Sequence, residues 1–127
     1  MSKTDIVSII DDDASVRAGM EALVNSIGFT ACVFDSAEEF LRSSRIEETS
    51  CLVTDVQMPG MNGLELQSRL VAQGRRIPII FITAFPEQSG RQRALAAGAL
   101  AYLEKPFAGE AMTSWLRKAM EAPSASD

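Results

Sequence analysis

Short apolar runs alternate along this chain with longer stretches in which apolar residues return every three or four positions. The runs are IVSII (6–10), ACVF (31–34), CLVT (51–54), IIFI (79–82) and LAYL (100–103). Most are nearly continuous in apolar character, as parallel strands covered on both faces are. Between the first two, Val16, Met20, Leu23, Val24 and Ile27 fall on one face of a helix that stops at Gly28. Ser36 and Glu39 have the spacing of a capping box and open a second helix, with Phe40 and Leu41 turned inward. Asn62 and Glu65 repeat that spacing at a third helix, which runs on through Leu66 and Leu70. A fourth, Ala-rich, covers about 87–97 and stops at Gly98, and a fifth carries Met112, Trp115, Leu116, Ala119 and Met120 on one stripe.

Five β–α units in strict alternation predict an α/β fold, a doubly wound five-stranded parallel sheet flanked by five helices. The lengths agree: a helix over 14–27 spans about 21 Å and a five-residue strand about 17 Å. In such sheets function gathers at the carboxyl ends of the strands. The residues standing there are Asp11, Asp12 and Asp13, then Asp35 and Ser36, Asp55, Thr83, and Glu104-Lys105-Pro106. Acids, a hydroxyl and an amine fall on one edge. A carboxylate ending a buried strand, as Asp55 does, is costly unless it is partnered.

Composition narrows the chemistry. The chain has 127 residues, 46% of them hydrophobic and 23% charged, the makeup of one globular domain. We read residues 1–121 as that domain and the polar stretch 122–127 as a tail or the start of a linker. There is no histidine, which removes His-based triads and His-ligated zinc. The two cysteines, Cys32 and Cys51, make no metal-ligand pattern and read as small buried residues. A net charge of −5 argues against direct nucleic-acid binding by this domain. No apolar run reaches the roughly 20 residues of a membrane span, and the N-terminus lacks a secretory pattern, so a cytoplasmic location is expected.

The segments SIIDDD, VTDVQMPGMNG, FITA and AYLEKPF resemble, in order and in register, the motifs of the two-component response-regulator receiver domain. The likeness covers nearly the whole chain and is greatest to receivers of the FixJ type, which usually carry a helix-turn-helix output. It implies the CheY-like strand order 2-1-3-4-5. In that order Cys32 and Cys51 lie two strands apart, about 9.6 Å and beyond disulfide reach.

The resemblance also implies roles. Asp55 corresponds to the phosphoacceptor, which takes a phosphoryl group from a histidine kinase or phosphotransfer protein. Asp11 and Asp12 correspond to the acidic pair that binds Mg2+ together with Asp55 and the main-chain carbonyl of Gln57. Thr83 and Lys105 correspond to the hydroxyl and ammonium that contact phosphoryl oxygens. Tyr102 corresponds to the aromatic switch residue, and Lys105–Pro106 to a cis peptide. The family is not a conventional enzyme, because it catalyses only its own aspartyl phosphorylation and dephosphorylation. Its output face comprises the fourth helix, fifth strand and fifth helix, through which a homodimer is one expected partner state. No membrane partner is implied. One departure stands out: Phe85, two residues after Thr83, borders the entrance to the site, where it would slow water entry or pack against a partner.

Plainer explanations account for single residues. Asp13 serves as a helix cap with no metal role. Lys105 alone would be a solvated lysine, Thr83 a strand-end hydroxyl and Tyr102 a core residue. A cap explains one aspartate but not a pair facing Asp55. Among other functions on this topology, a binding-only receiver would lack an acid or the lysine. A flavodoxin-like carrier would need a phosphate loop where DDDASV stands. An aspartate-nucleophile phosphatase would want an acid at Gln57.

Overall fold

The structure, a computed structural model, describes residues 5–121; the stretch 122–127 read as tail or linker lies outside them. Five strands, β1 (Ile6–Ile10), β2 (Thr30–Phe34), β3 (Cys51–Asp55), β4 (Ile79–Thr83) and β5 (Ala101–Glu104), form one parallel sheet in the order β2-β1-β3-β4-β5. The helices are α1 (Ala14–Ser26), α2 (Ala37–Arg42), α3 (Gly63–Ala72), α4 (Gln88–Ala96) and α5 (Gly109–Glu121). The predicted α/β architecture and strand order are those observed.

Burial follows position in the sheet. The three inner strands β1, β3 and β4 are buried at every residue, whereas edge strand β2 is buried only at Phe34. Alternate side chains feed two cores. Val7, Ile9, Val53, Ile80 and Ile82 meet Met20 and Val24 of α1 and Met112 and Leu116 of α5. Ile10, Leu52, Ile79 and Phe81 meet Phe40 of α2, Leu66 and Leu70 of α3 and Ala94 of α4. Each large side chain buried this way contributes about 1.5–3 kcal/mol.

The predicted caps shape the helix starts. Asp13 caps α1, accepting from the backbone N–H of Ser15 at 2.8 Å and of Val16 at 3.4 Å. Asn62 and Glu65 complete a reciprocal capping box at α3. At α2 the box is offset: Ser36 accepts from the Glu39 N–H, but Glu39 accepts from Asp35 N–H, one residue earlier than the motif requires. Asp35 and Ser36, strand-end residues on the functional edge by sequence, are thus committed to capping. Both α1 and α4 end in a Schellman motif, with Gly28 (φ 97°) and Gly98 (φ 105°) in the left-handed conformation.

Boundaries move by one or two residues, and one element is new. The second helix closes after six residues, and a 3-10 turn over Ser44–Glu48 carries the chain into β3, burying Ile46. Its polar composition gives no periodic signal. Cys51 is buried, Cys32 is half-buried, and both thiols are free.

Candidate functional site

The chain leaves β1 toward β2 on one side and later enters β3 on the other, so the carboxyl ends of β1 and β3 flank the topological switch point, where a crevice opens. Asp11 directly follows β1 and is fully buried, and Asp55, the last residue of β3, is 6% exposed. Asp12 is exposed at the rim. Ligand oxygens of all three carboxylates lie within 4.8 Å of one another.

Lys105 reaches this cluster from beyond β5. Its Nζ donates to Asp11 Oδ2 at 2.8 Å and to Asp55 Oδ2 at 2.9 Å. The Lys105 N–H donates to the Thr83 carbonyl at 2.7 Å, tying the ends of β4 and β5 together, and the Lys105–Pro106 peptide is cis. The remaining carboxylate oxygens take backbone donors. Asp11 Oδ1 accepts from Asp13 N–H at 2.9 Å, and Asp55 Oδ1 from Gln57 N–H at 3.0 Å. A buried carboxylate is tolerable when satisfied in this way.

Charge is not balanced: one ammonium faces three carboxylates. Burial pushes the Asp11 carboxyl above its ordinary range; its hydrogen bonds to Lys105 and Asp13 oppose the shift, and repulsion from Asp55 adds to it. For Lys105, burial would favour the neutral amine, but the hydrogen bonds it donates to Asp11 and Asp55 outweigh that effect and hold its pKa above the usual value. Three clustered hard oxygen ligands with excess negative charge, one of them at the solvent rim, suit a small divalent cation. The donor set fits Mg2+ and offers no soft ligand.

Thr83 ends β4 fully buried; its Oγ1 accepts from Phe85 N–H at 3.0 Å and donates to Gln57 Oε1 at 3.4 Å. Phe85 itself is 70% exposed. Tyr102 on β5 lies inward, 6% exposed, with its ring centroid 6.1 Å from that of Phe81. The sequence-selected residues Asp11, Asp12, Asp55 and Lys105 therefore converge directly, with Gln57 and Thr83 at their margin. Tyr102 stands apart on the α4 side of the sheet.

Three supports escaped the sequence reading. Arg17 Nη1 donates to the Asp11 carbonyl at 2.6 Å, one turn into α1. Glu38 Oε2 accepts from Met61 N–H at 3.0 Å and so pins the loop after β3 from α2. The Met61 N–H, aided by Glu38's own main chain and the nearby Arg42 charge, holds the Glu38 carboxyl below its ordinary range. The Gln57 side chain spans from Thr83 to the Phe85 carbonyl, 3.5 Å from its Nε2. Arg17 could be suspected from a base near an acid, but the other two link segments over 20 residues apart and leave no local signal.

The model of the response regulator receiver domain matches residues 7–117. Nodulation protein W of Bradyrhizobium diazoefficiens is 42% identical over 102 residues, covering 80% of this chain and 45% of that protein. The transcriptional regulatory protein FixJ of the same organism is 36% identical over 114 residues, 90% of this chain and 56% of that one. The chain thus spans about half the length of the curated relatives it matches. The crystal structure of FixJ-N superposes with a TM-score of 0.85 at 32% identity, covering 98% of this chain and 99% of that one. Taken with the acidic switch-point crevice and its lysine, these likenesses make the chain a member of the response regulator receiver domain family of two-component signalling.

Proposed function

We propose that the domain is a phosphoacceptor switch in which Asp55 takes a phosphoryl group from a partner phosphohistidine. A carboxylate oxygen of Asp55 attacks phosphorus, an O–P bond forms, and the P–N bond breaks with its electron pair returning to the imidazole. The observation that carries this reading is the placement of Lys105 Nζ within 2.9 Å of Asp55 and 2.8 Å of Asp11, beside a third carboxylate. An ammonium so placed can neutralise equatorial oxygens of a transferring phosphoryl group. Gln57 N–H fixes one Asp55 oxygen and so orients the carboxylate. Mg2+ held by Asp11, Asp12, Asp55 and the Gln57 main-chain carbonyl would supply further positive charge to the phosphoryl oxygens.

The donor is a histidine kinase or phosphotransfer protein. An apolar groove beside Lys105, lined by Val16, Met20, Leu23, Pro106 and Phe107, supports docking of such a partner next to the site. After transfer, the Thr83 hydroxyl turns to a phosphoryl oxygen, and the share of protein with Tyr102 inward rises, which reshapes the α4–β5–α5 face. That face then acts on an output domain or partner, or pairs with a second copy. Transcription regulation, for which the FixJ relative is named, is the output we favour for a longer cytoplasmic protein in which residues 1–121 form the receiver.

Incubation with acetyl phosphate and Mg2+, followed by intact mass, tests the reading. Wild type gains one phosphoryl group and Asp55→Asn gains none; no gain in wild type, or equal gain in both, overturns it. Thr83→Ala, run alongside, accepts the group but loses the accompanying change in the Tyr102 signal.

A further inference from the structure

Tyr102 meets the first turn of α4 at two points. Its main-chain carbonyl accepts from Arg91 Nη1 at 3.1 Å, and its hydroxyl sits over Gly90. A Cβ built at Gly90 would lie 3.1 Å from Tyr102 Oη, tighter than ordinary packing allows. The next atoms, Tyr102 Cζ and Leu64 Cδ1, would both be at 3.9 Å, an ordinary contact. The single tight approach is therefore to the hydroxyl.

The backbone gives no other reason for glycine there. Gly90 lies inside α4 and is absent from the positive-φ positions, so alanine could adopt its conformation. Glycine within a helix lowers the folding constant about four- to fivefold relative to alanine. It also leaves α4 with a gap on its buried face, where Gly90 and Ala94 are the buried residues.

We infer that Gly90 is a positioning residue for the switch: its missing side chain is the slot that seats the Tyr102 hydroxyl, and it sets how much of the protein holds the ring inward. The inference rests on reading Tyr102 as the switch residue. Arg91 ties the Tyr102 main chain to α4 beside the slot, and Gly90 admits the hydroxyl. A side chain at 90 displaces the hydroxyl and shifts the ring toward solvent before any phosphoryl group is present.

The chain has one tyrosine, so ring-labelled tyrosine gives a single set of NMR signals. Without any phosphoryl donor, Gly90→Ala should move those signals and increase their broadening by a soluble paramagnetic agent at least twofold. A urea cycle supplies the control. In the Tyr102→Phe background, which lacks the hydroxyl, Gly90→Ala should raise the folding constant about fourfold; with Tyr102 present the gain should vanish or reverse. Unchanged ring signals, or an equal gain in both backgrounds, would overturn the inference. Acetyl phosphate labelling of wild type separates the two readings. A non-additive cycle without labelling upholds the slot and removes the phosphoacceptor reading, whereas labelling with an additive cycle removes only the slot.

Discussion

Asp55 costs little as a buried carboxylate because Lys105 and the Gln57 N–H satisfy it, and both partners come from outside its own strand. The same residue-scale logic bears on Phe85. Its ring is 70% exposed while its N–H and carbonyl are tied to Thr83 and Gln57, so the backbone is fixed beside the site and the ring faces solvent. If it shields the acyl phosphate from water, Phe85→Ala should shorten the phosphoryl lifetime several-fold, read by loss of the added mass with time. An unchanged lifetime would leave the ring to partner contact instead. Cys51 gives a pH prediction. Burial pushes its thiol from 9.0 up to about 12 in the folded protein. The unfolded thiol therefore loses its proton first, so this contribution to stability is full below pH 9 and is lost as pH rises toward 12. Between pH 8 and pH 10, wild type should lose about 1.4 kcal/mol more stability than Cys51→Ala, measured by urea unfolding.

At the scale of elements, the loop from β3 into α3 decides whether the site can form. Gly60 takes φ 76°, turning the chain after Pro59, and Glu38 of α2 fastens the next residue. Gly63 then starts α3 directly against the end of β3. A Cβ there would collide with the Asp55 carbonyl and press on Val56 and Phe81 at 3.1 Å. Gly63→Ala should therefore cost about 2–3 kcal/mol by urea denaturation, since the obstruction is backbone and cannot swing aside. Element by element, the sequence was most legible where local chemistry suffices. The Asp13 cap, the Asn62–Glu65 box and the stops at Gly28 and Gly98 all rest on contacts within a few residues. It was least legible at the 3-10 turn over Ser44–Glu48, whose polar residues have no period and whose one buried side chain, Ile46, is buried by distant elements.

For the whole molecule, the clustered carboxylates tie stability to cation binding. Asp11, Asp12 and Asp55 repel one another, and Lys105 offsets only part of that charge. A cation that binds the folded protein alone stabilises it by about 2.7 kcal/mol at a hundredfold excess over its dissociation constant. Mg2+ should thus raise the wild-type melting temperature by several degrees. Asp12→Asn should start slightly more stable without Mg2+ and gain much less from it, because one like charge and one ligand are gone. Equal Mg2+ gains in both proteins would exclude Asp12 from the cation site. No helix among the described residues is long and apolar enough to cross a membrane, and α5 is an amphipathic helix whose Met112 and Leu116 are spent on the core.

The sequence by itself determined the alternation of strands and helices, the caps and stops, and the short list of acids, hydroxyl and amine at strand ends. Those features depend on periodicity and on neighbours a few residues apart. Only the tertiary structure decided which of the strand-end residues meet. It gave Asp35 and Ser36 to the α2 cap, drew Lys105 across 50 residues to Asp55 and 94 to Asp11, and seated Tyr102 against Gly90. These pairings follow from strand order and helix packing, which bring together groups that no local pattern in the chain connects.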